Sequence, residues 1–380
     1  MQKYEVIIIG AGASGLMCAL QTTKPTLLLE AGDRVGKKIL ATGNGKCNLT
    51  NNQVSAQCYN TPLVTRYLTR FNQEQTKQYF NDLGLFIYAD EAGRCYPLAN
   101  SANSVLDLLL RALSLKSNVQ VVTNALPQNI TQAADGFVVS TAQQSYACRK
   151  LVLATGGNSG TQYLNQLQVK YQNFVPSLMG LKTTKNKGLA GVRVSNVRVK
   201  FADFDEVGEV LFKDDGISGI VIFNLSAYLA RRKIQTGKIV LDLLAGVSTS
   251  QLHTMVQHSL QHNPRYSVPE ILTGFLHKSL ARNLAERLGL AQKLAGELNA
   301  AHMDKLVELI KNYTVSFTGY ADNNQVYTGG VDLADLDENL QHKTVRGLYL
   351  TGELVNVDGV CGGYNLQWAW TSGKIVGENL

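Results

Sequence analysis

The chain opens on an apolar run, Val6 to Ile9, that passes directly into Gly10-Ala11-Gly12-Ala13-Ser14-Gly15 and a helical stretch to Gln21; a second apolar run, Thr26 to Leu29, ends in Glu30. Short apolar runs bounded by turn residues read as fully buried strands. Similar runs at Val119–Val122, Gly136–Ser140 and Leu151–Ala154 alternate with helical patterns at Gln73–Leu83 and Ser104–Leu115. The last of these is read with Ser104 as N-cap and Val105, Leu108, Leu109 and Leu113 as the core-facing stripe. Such alternation predicts an α/β fold with a parallel sheet and helices on its faces over residues 1–190.

Beyond 190 the period shortens. Val192, Val194, Val197 and Val199, then Glu209–Phe212 and Ile220–Phe223, predict antiparallel strands or a small barrel over 191–245. Residues 246–312 read as helix-rich. Strand patterns return at Thr314–Phe317 and Gln325–Val331, assigning 313–339 to the β-rich part. An apolar strand, Leu348–Leu350, and a last helix from about Asn365 to Asn379 look like the first domain resuming over 340–380. The expected organisation is a discontinuous α/β domain that receives a β-rich insertion, which in turn receives a helical one.

A length of 380 residues is enough for two or three domains. No export signal is visible at the start, and no apolar run approaches the roughly 18 residues that span a bilayer. A cytoplasmic protein is expected, without membrane association. The six cysteines, Cys18, Cys47, Cys58, Cys95, Cys148 and Cys361, show no CxxC pair, so reduced thiols are the reading. Five histidines, His253, His258, His262, His277 and His302, fall in the helical segment, two of them one turn apart, but no carboxylate or cysteine accompanies them and no metal is expected. The net charge of +7 permits an anionic partner without identifying one.

The glycine loop carries the first chemistry. In a GxGxxG loop set between strand and helix, Gly10 allows the tight turn, Gly12 lets backbone approach a pyrophosphate, and Gly15 lets the helix pack on the strand. Ala13 and Ser14 open the helix, whose N-terminus faces the anion. Glu30 stands where an acid receives the hydroxyls of an adenosine ribose. The stretch from Gly36 to Asn51, with Lys37, Lys38, Thr42, Gly43, Gly45, Cys47 and Asn48, is too rich in glycine and amides for a core element and is expected to wrap the pyrophosphate or the flavin ring. Thr155-Gly156-Gly157 ends a strand, as beside the cofactor in two-dinucleotide flavoproteins. Gly352-Glu353 places an acid past the strand Leu348–Leu350, where it could hold ribityl hydroxyls. Gly362, Gly363, Tyr364 and Asn365 open the last helix, whose dipole would favour charge on a reduced flavin. Motifs at both chain ends point to FAD rather than NAD.

The segments GKKILATGNGKCNLTN, GRCYPLANSANSVLDLL, LATGG, GISGIVIFNLS, Tyr327-Thr328-Gly329-Gly330-Val331 and TGELVNVDGVCGGYNLQWAWTSG together resemble the YhiN/BaiN-like flavoproteins, often described as aminoacetone-oxidase-like. The resemblance implies a Rossmann-type FAD-binding domain with a small β-barrel-like insertion and a helical insertion. This chain has Lys46 where the family usually has Arg and Cys361 where it usually has Thr, and the first swap exchanges a planar fork for a point charge. The family is associated with reduction of uridine to dihydrouridine in ribosomal RNA, reduction of steroid enones and oxidation of small amines. With one GxGxxG only, NAD(P)H is expected as a transient reductant. Ribosomal RNA is the favoured partner, a small-molecule substrate the alternative. Arg34, Lys37, Lys38, Lys46, Arg193, Arg198, Lys200, Arg231, Arg232, Lys233, Lys278, Arg282 and Arg287 are read as a phosphate-tracking surface. The candidate proton donors are Cys47, Cys361, Tyr364 and Cys95, with Asn48 and Asn365 as positioning groups.

Overall fold

The computed structural model describes residues 1–380, which form two compact units: Met1–Val175 with Val326–Leu380, and Pro176–Gln325. In the first unit a seven-stranded sheet runs in the order Val119–Val122, Thr26–Leu29, Gln2–Ile9, Ser145–Leu153, Gly136–Thr141, Pro127–Ala133, with Leu348–Leu350 also beside Ser145–Leu153. The apolar runs pair in parallel, Ile9 with Leu29 and with Leu153, and Leu350 with Leu153. All four residues are buried, as expected of parallel strands covered on both faces.

The expectation of a purely parallel sheet is corrected on one side. Gly136–Thr141 is antiparallel to both Pro127–Ala133 and Ser145–Leu153. The connections are tight hairpins, which cannot join parallel strands. The helix expected from Ser104 begins earlier, spanning Ala102–Ser114 with Ser101 as its N-cap. Its buried face is Ala102, Val105, Leu106, Leu109 and Leu113, so Leu106 replaces Leu108 on the stripe.

The first helix, Ala13–Gln21, and the last, Tyr364–Glu378, pack closely because small residues meet at the crossing. A Cβ on Gly373 would lie 2.3 Å from Ser14 O, and one on Gly377 2.5 Å from Cys18 O. The C-terminal segment thus supplies both a sheet strand and a helix locked to the first helix, which makes the two chain ends one structure.

The second unit closes a six-stranded barrel in the order Leu181–Thr183, Gly216–Ser218, Phe204–Lys213, Arg193–Phe201, Gly237–Asp242, Tyr313–Tyr320. Ile220–Phe223, expected as a strand, is the start of a helix, Ile220–Arg231. Four apolar residues alone do not distinguish the two; the spacing Val221, Ile222, Leu225, Leu229 is helical and all four are buried. The helices Thr249–His262, Val268–Thr273, Lys278–Arg287 and Ala300–Lys311 fill the segment read as helical. Their Leu252, Val256, Leu284 and Ile310 share one apolar core with the barrel's Val199, Ile239 and Leu241.

The helices lie in sequence between the barrel strands Gly237–Asp242 and Tyr313–Tyr320 and share one compact unit with the barrel. Its edges differ from those drawn at 190/191 and 339/340. Leu181–Thr183 is already a barrel strand, and Val326–Gly330 pairs with the strand that begins at Gln172. No helix is long and apolar enough to cross a membrane.

Candidate functional site

The glycine loop sits between the first strand and first helix, and its three glycines have different surroundings. Gly10 has φ +100°, and a Cβ there would lie 2.5 Å from Ala154 O. A Cβ on Gly15 would lie 1.9 Å from Gly10 O. Gly12 has no atom within 4 Å of its would-be Cβ, so its outer side is open. No side chain caps the helix at Gly12, and the first closed N–H is Leu16 on Gly12 O. The N–H groups of the first helical turn are left facing that open space.

The other segments converge on this loop through named contacts. Gly36 N–H donates to Ala11 O at 2.8 Å, which brings the lysine- and glycine-rich segment alongside. Thr351 Oγ1 donates to Ser14 Oγ at 3.1 Å, and the Gly352 backbone runs close over Ser14. A Cβ on Gly156 would touch Lys38 Nζ at 3.1 Å and Glu353 Oε2 at 3.4 Å. A Cβ on Gly363 would meet Thr50 O at 2.5 Å and Asn48 Oδ1 at 2.8 Å. Gly10, Thr155, Gly156, Lys38, Glu353, Ser14, Asn48 and Gly363 therefore belong to one region built from both chain ends.

Both acids, Glu30 and Glu353, already accept backbone hydrogen bonds. Glu30 folds back on the loop, accepting from Ala11 N–H at 3.0 Å and Gly32 N–H at 2.8 Å. Glu353 accepts from Tyr327 N–H at 2.7 Å and Gly157 N–H at 3.0 Å, so its carboxylate ties two backbone turns together instead of standing free for ribityl hydroxyls. Burial raises its pKa, and the charge of Lys38 opposes the rise. Tyr327, which the sequence reading used only as part of a motif, lies over Gly157: a Cβ there would be 2.6 Å from its ring.

The Gly36–Asn51 stretch contains a short helix, Lys37–Ala41, with Ile39 buried, before a turn in which Gly43, Asn44, Gly45 and Cys47 all have φ between 54° and 82°. Four left-handed residues so close together expose the turn's backbone; Gly43, Asn44, Gly45 and Lys46 are exposed, while Cys47, Asn48, Leu49 and Thr50 are buried. Asn48 Oδ1 is buried without a hydrogen-bond partner. At the head of the last helix, Gly362 and Gly363 have φ +140° and +100°, and no side chain caps the helix. Asn365 clamps the preceding loop with both ends of its amide, to Gly359 N–H and Gly359 O at 2.9 Å each.

Of the four candidate proton donors, only Cys361 is partly exposed. Cys47 and Cys95 are both fully buried. Burial pushes the Cys47 thiol up to about 12 and also raises Cys95, whose sulfur faces Asn52 Oδ1 at 3.4 Å and Gly93 O at 3.5 Å. Tyr364 is buried against Tyr59, and burial raises its hydroxyl well above the usual value. Burial pushes Cys361 up to about 11, against the lowering effect of Arg94. Arg94 entered the sequence reading only as part of the GRCYP segment, where no charge pattern singled it out.

The basic residues read as a surface are all exposed, and some carry partners. Arg193 pairs with Glu209 at 2.8 Å, Arg198 with Asp205 at 3.7 Å and Arg232 with Asp203 at 3.3 Å, while Arg287 lies over the Tyr313 ring. These are surface pairs, and the arginines stay exposed. Arg34, Lys37, Lys38 and Lys46, beside the glycine loop, are exposed. The histidines serve locally: His258 and His262 stack at 4.0 Å, His277 caps a helix, and no group of three or more His, Cys, Asp or Glu side chains is placed to hold a metal.

A mixed sheet whose parallel part carries an uncapped helix at a GxGxxG turn, completed by the C-terminal strand and helix, is the Rossmann-type FAD-binding fold, and the protein is an FAD-dependent oxidoreductase. Residues 4–379 match the family described as HI0933-like protein Rossmann domain. A 3-dehydro-bile acid delta(4,6)-reductase of Clostridium scindens is 34% identical, with 98% of this chain and 97% of that protein covered. A ribosomal RNA dihydrouridine synthase of Escherichia coli K12 is 29% identical over 100% of this chain and 98% of its own. The solved 3-ketosteroid-delta4-(5alpha)-dehydrogenase of Rhodococcus jostii RHA1 is similar in fold, with a TM-score of 0.51 and 11% identity, covering 99% and 96% of the two chains. The chain belongs to the HI0933-like family.

Proposed function

We propose that this protein reduces a carbon–carbon double bond conjugated with a carbonyl group, with uridine in ribosomal RNA as the substrate and NAD(P)H as the source of electrons. The observation that carries the reaction class is that two relatives matching nearly end to end are named for such saturations, one on a bile acid and one on uridine. The open side of Gly12, the uncapped helix behind it and the exposed left-handed turn fit a dinucleotide. FAD, when bound, supplies the hydride.

Around it the chain's own groups have separable tasks. The N–H groups at Gly12, Ala13, Ser14 and Gly15 would hold the pyrophosphate, with Lys37 and Lys38 as counter-charges. Glu30 would leave Ala11 N–H and turn to the ribose. The Thr42–Asn48 turn, Thr155–Gly157, the Gly352–Glu353 turn held by its carboxylate, and Gly362–Asn365 would enclose the ring, with the last helix's N-terminus favouring negative charge there. Cys361, protonated at neutral pH, would give the proton that completes saturation.

For RNA, Arg34, Lys37, Lys38 and Lys46 are exposed phosphate partners beside the glycine loop, and Lys200, Lys233, Lys278 and Arg282 are exposed on the barrel and helical unit. The test compares ribosomal RNA from strains with and without this gene. Loss of a dihydrouridine supports the uridine reading, and an unchanged modification profile refutes it. A second reading, reduction of a small steroid-like enone, is favoured by the higher identity to the bile acid reductase, 34% against 29%. It predicts saturation of a dienone by the NADPH-reduced protein under anaerobic conditions. Rapid peroxide release in air without an acceptor would favour an oxidase over both.

A further inference from the structure

Arg94 ends a turn built to hold it. Asp90 Oδ1 accepts from the N–H groups of Ala92 at 3.0 Å and Arg94 at 2.9 Å, which fixes the carboxylate, and its Oδ2 takes Arg94 Nε at 2.7 Å. The guanidinium is thus anchored through its inner nitrogen. Its two terminal amino groups make no hydrogen bond to the chain, and the side chain is 31% exposed. A half-buried guanidinium oriented from behind, with four N–H donors unmatched, is a preorganised fork for an oxygen.

Its position says which oxygen. In the small sheet of Thr50–Asn51, Arg94–Pro97 and Ile87–Ala89, Arg94 is paired with Asn51. The Asn51 amide donates to Gly362 O at 3.0 Å, so the strand next to Arg94 holds the backbone immediately after Cys361. Thr50 lies under Gly363 and its hydroxyl donates to Gln367 Oε1 at 2.6 Å, which fastens the same strand to the last helix. The positive charge of Arg94 reaches both the Cys361 thiol and the Tyr96 hydroxyl, lowering each against burial. Tyr96 in turn stands against the left-handed turn, 3.3 Å from where a Cβ on Gly43 would be. Arg94 is therefore in the region assembled for the flavin ring, beside the one accessible candidate for proton donation.

We infer that the terminal amino groups of Arg94 receive the substrate's carbonyl oxygen and hold the negative charge that collects on it during reduction. This rests on the reading of the reaction as saturation of a carbonyl-conjugated double bond. A hydride delivered to the carbon β to the carbonyl, of the kind a reduced flavin would supply, would push the double-bond electrons onto the oxygen as an enolate facing Arg94. A proton from Cys361 would then add to the α carbon and restore the carbonyl, so that the substrate gains one C–H bond at each carbon and the two electrons come from the flavin and, before it, NAD(P)H. Lysine at this position would keep the charge and lose the fork.

The test uses 4-chlorophenolate, an oxyanion on an aromatic ring, titrated into the FAD-loaded protein and followed by the change in the flavin's visible spectrum. Arg94→Gln is expected to weaken phenolate binding about tenfold or more, Arg94→Lys to recover part of it, and both to retain FAD affinity and melting temperature. Asp90→Asn, which loosens the anchor but leaves the charge, should fall between wild type and Arg94→Gln. Unchanged phenolate affinity in Arg94→Gln, or no phenolate binding by the wild type, overturns the inference. So does parallel loss of FAD, which would put Arg94 in the cofactor site. Failure of the reaction reading shows differently: no conjugated acceptor is saturated by wild type, while phenolate binding still depends on Arg94.

Discussion

Alanine at each glycine of the GxGxxG loop separates space reserved for a ligand from space used by the fold. At Gly15 an ideal Cβ lies 1.9 Å from Gly10 O, which is 1.5 Å inside ordinary van der Waals contact at 3.4 Å. The first helix must then move off the first strand, and overpacking of that size costs about 3 kcal/mol or more. At Gly10 the Cβ is 2.5 Å from Ala154 O, and φ +100° adds left-handed strain, for a cost of similar size. At Gly12, φ is −81° and nothing lies within 4 Å, so the apo fold should change by less than about 1 kcal/mol, the weaker N-cap preference of alanine. The methyl group would instead stand where the pyrophosphate must approach, and a loss of roughly 2–3 kcal/mol in binding is about a hundredfold in affinity. Urea or thermal unfolding of apo protein gives the first quantity, with roughly 2–4 °C per kcal/mol expected for a unit of this size. Quenching of FAD fluorescence gives the second. The reasoning fails if Gly12→Ala destabilises the apo protein as much as Gly15→Ala does, or if it binds FAD like the wild type.

Three other outcomes follow from single features. Gln367 is fully buried, accepts from Thr50 Oγ1 at 2.6 Å and donates to Thr76 and Thr371 hydroxyls at 2.9 Å each; Gln367→Leu strands these groups and should cost about 3 kcal/mol or more in chemical unfolding. Burial raises Glu353, so the folded state binds its proton more tightly than the unfolded state; that contribution is complete at low pH and falls away as pH rises above the ordinary value of 4.5. Unfolding measured across pH 4 to 8 should show a stability loss in wild type that Glu353→Gln lacks, and identical profiles would refute it. Thiol titration of native protein should reach Cys58 and Cys361 only, because Cys18, Cys47, Cys95 and Cys148 are buried, with FAD slowing the reaction at Cys361; all six thiols react in denaturant.

The sequence made the dinucleotide strands legible because burial on both faces forces continuous apolar runs, as in Val6–Ile9, Thr26–Leu29 and Leu348–Leu350. It was less informative where two structures share a local pattern. Ile220–Phe223 reads as a strand over four residues and is a helix over twelve, and Pro127–Ala133 alternates too little to announce an edge strand. The unit boundaries were illegible for a different reason: Leu181–Thr183 is a barrel strand only because Gly216–Ser218 and Tyr313–Tyr320 flank it, a pairing over 130 residues of sequence that no window contains.

The site divides along the same line. Positions defined by backbone freedom, such as Gly10, Gly156, Gly362 and Gly363, were visible because glycine is the residue that such conformations demand. Positions defined by a partner were not. Glu353 looks like a hydroxyl acceptor in isolation, yet its oxygens are taken by Tyr327 and Gly157 N–H groups from two distant segments. Arg94 looks like one basic residue among 36, and only the Asp90 anchor and the Asn51–Gly362 bond give it a direction. A charged group acquires chemistry from what holds its other end. Buried carboxylates that hold backbone should therefore be read as architecture, and half-buried cations whose outer donors are unmatched as candidates for binding a substrate. That distinction sets Glu353 and Arg94 apart, although each is a charged side chain in the same region of the fold.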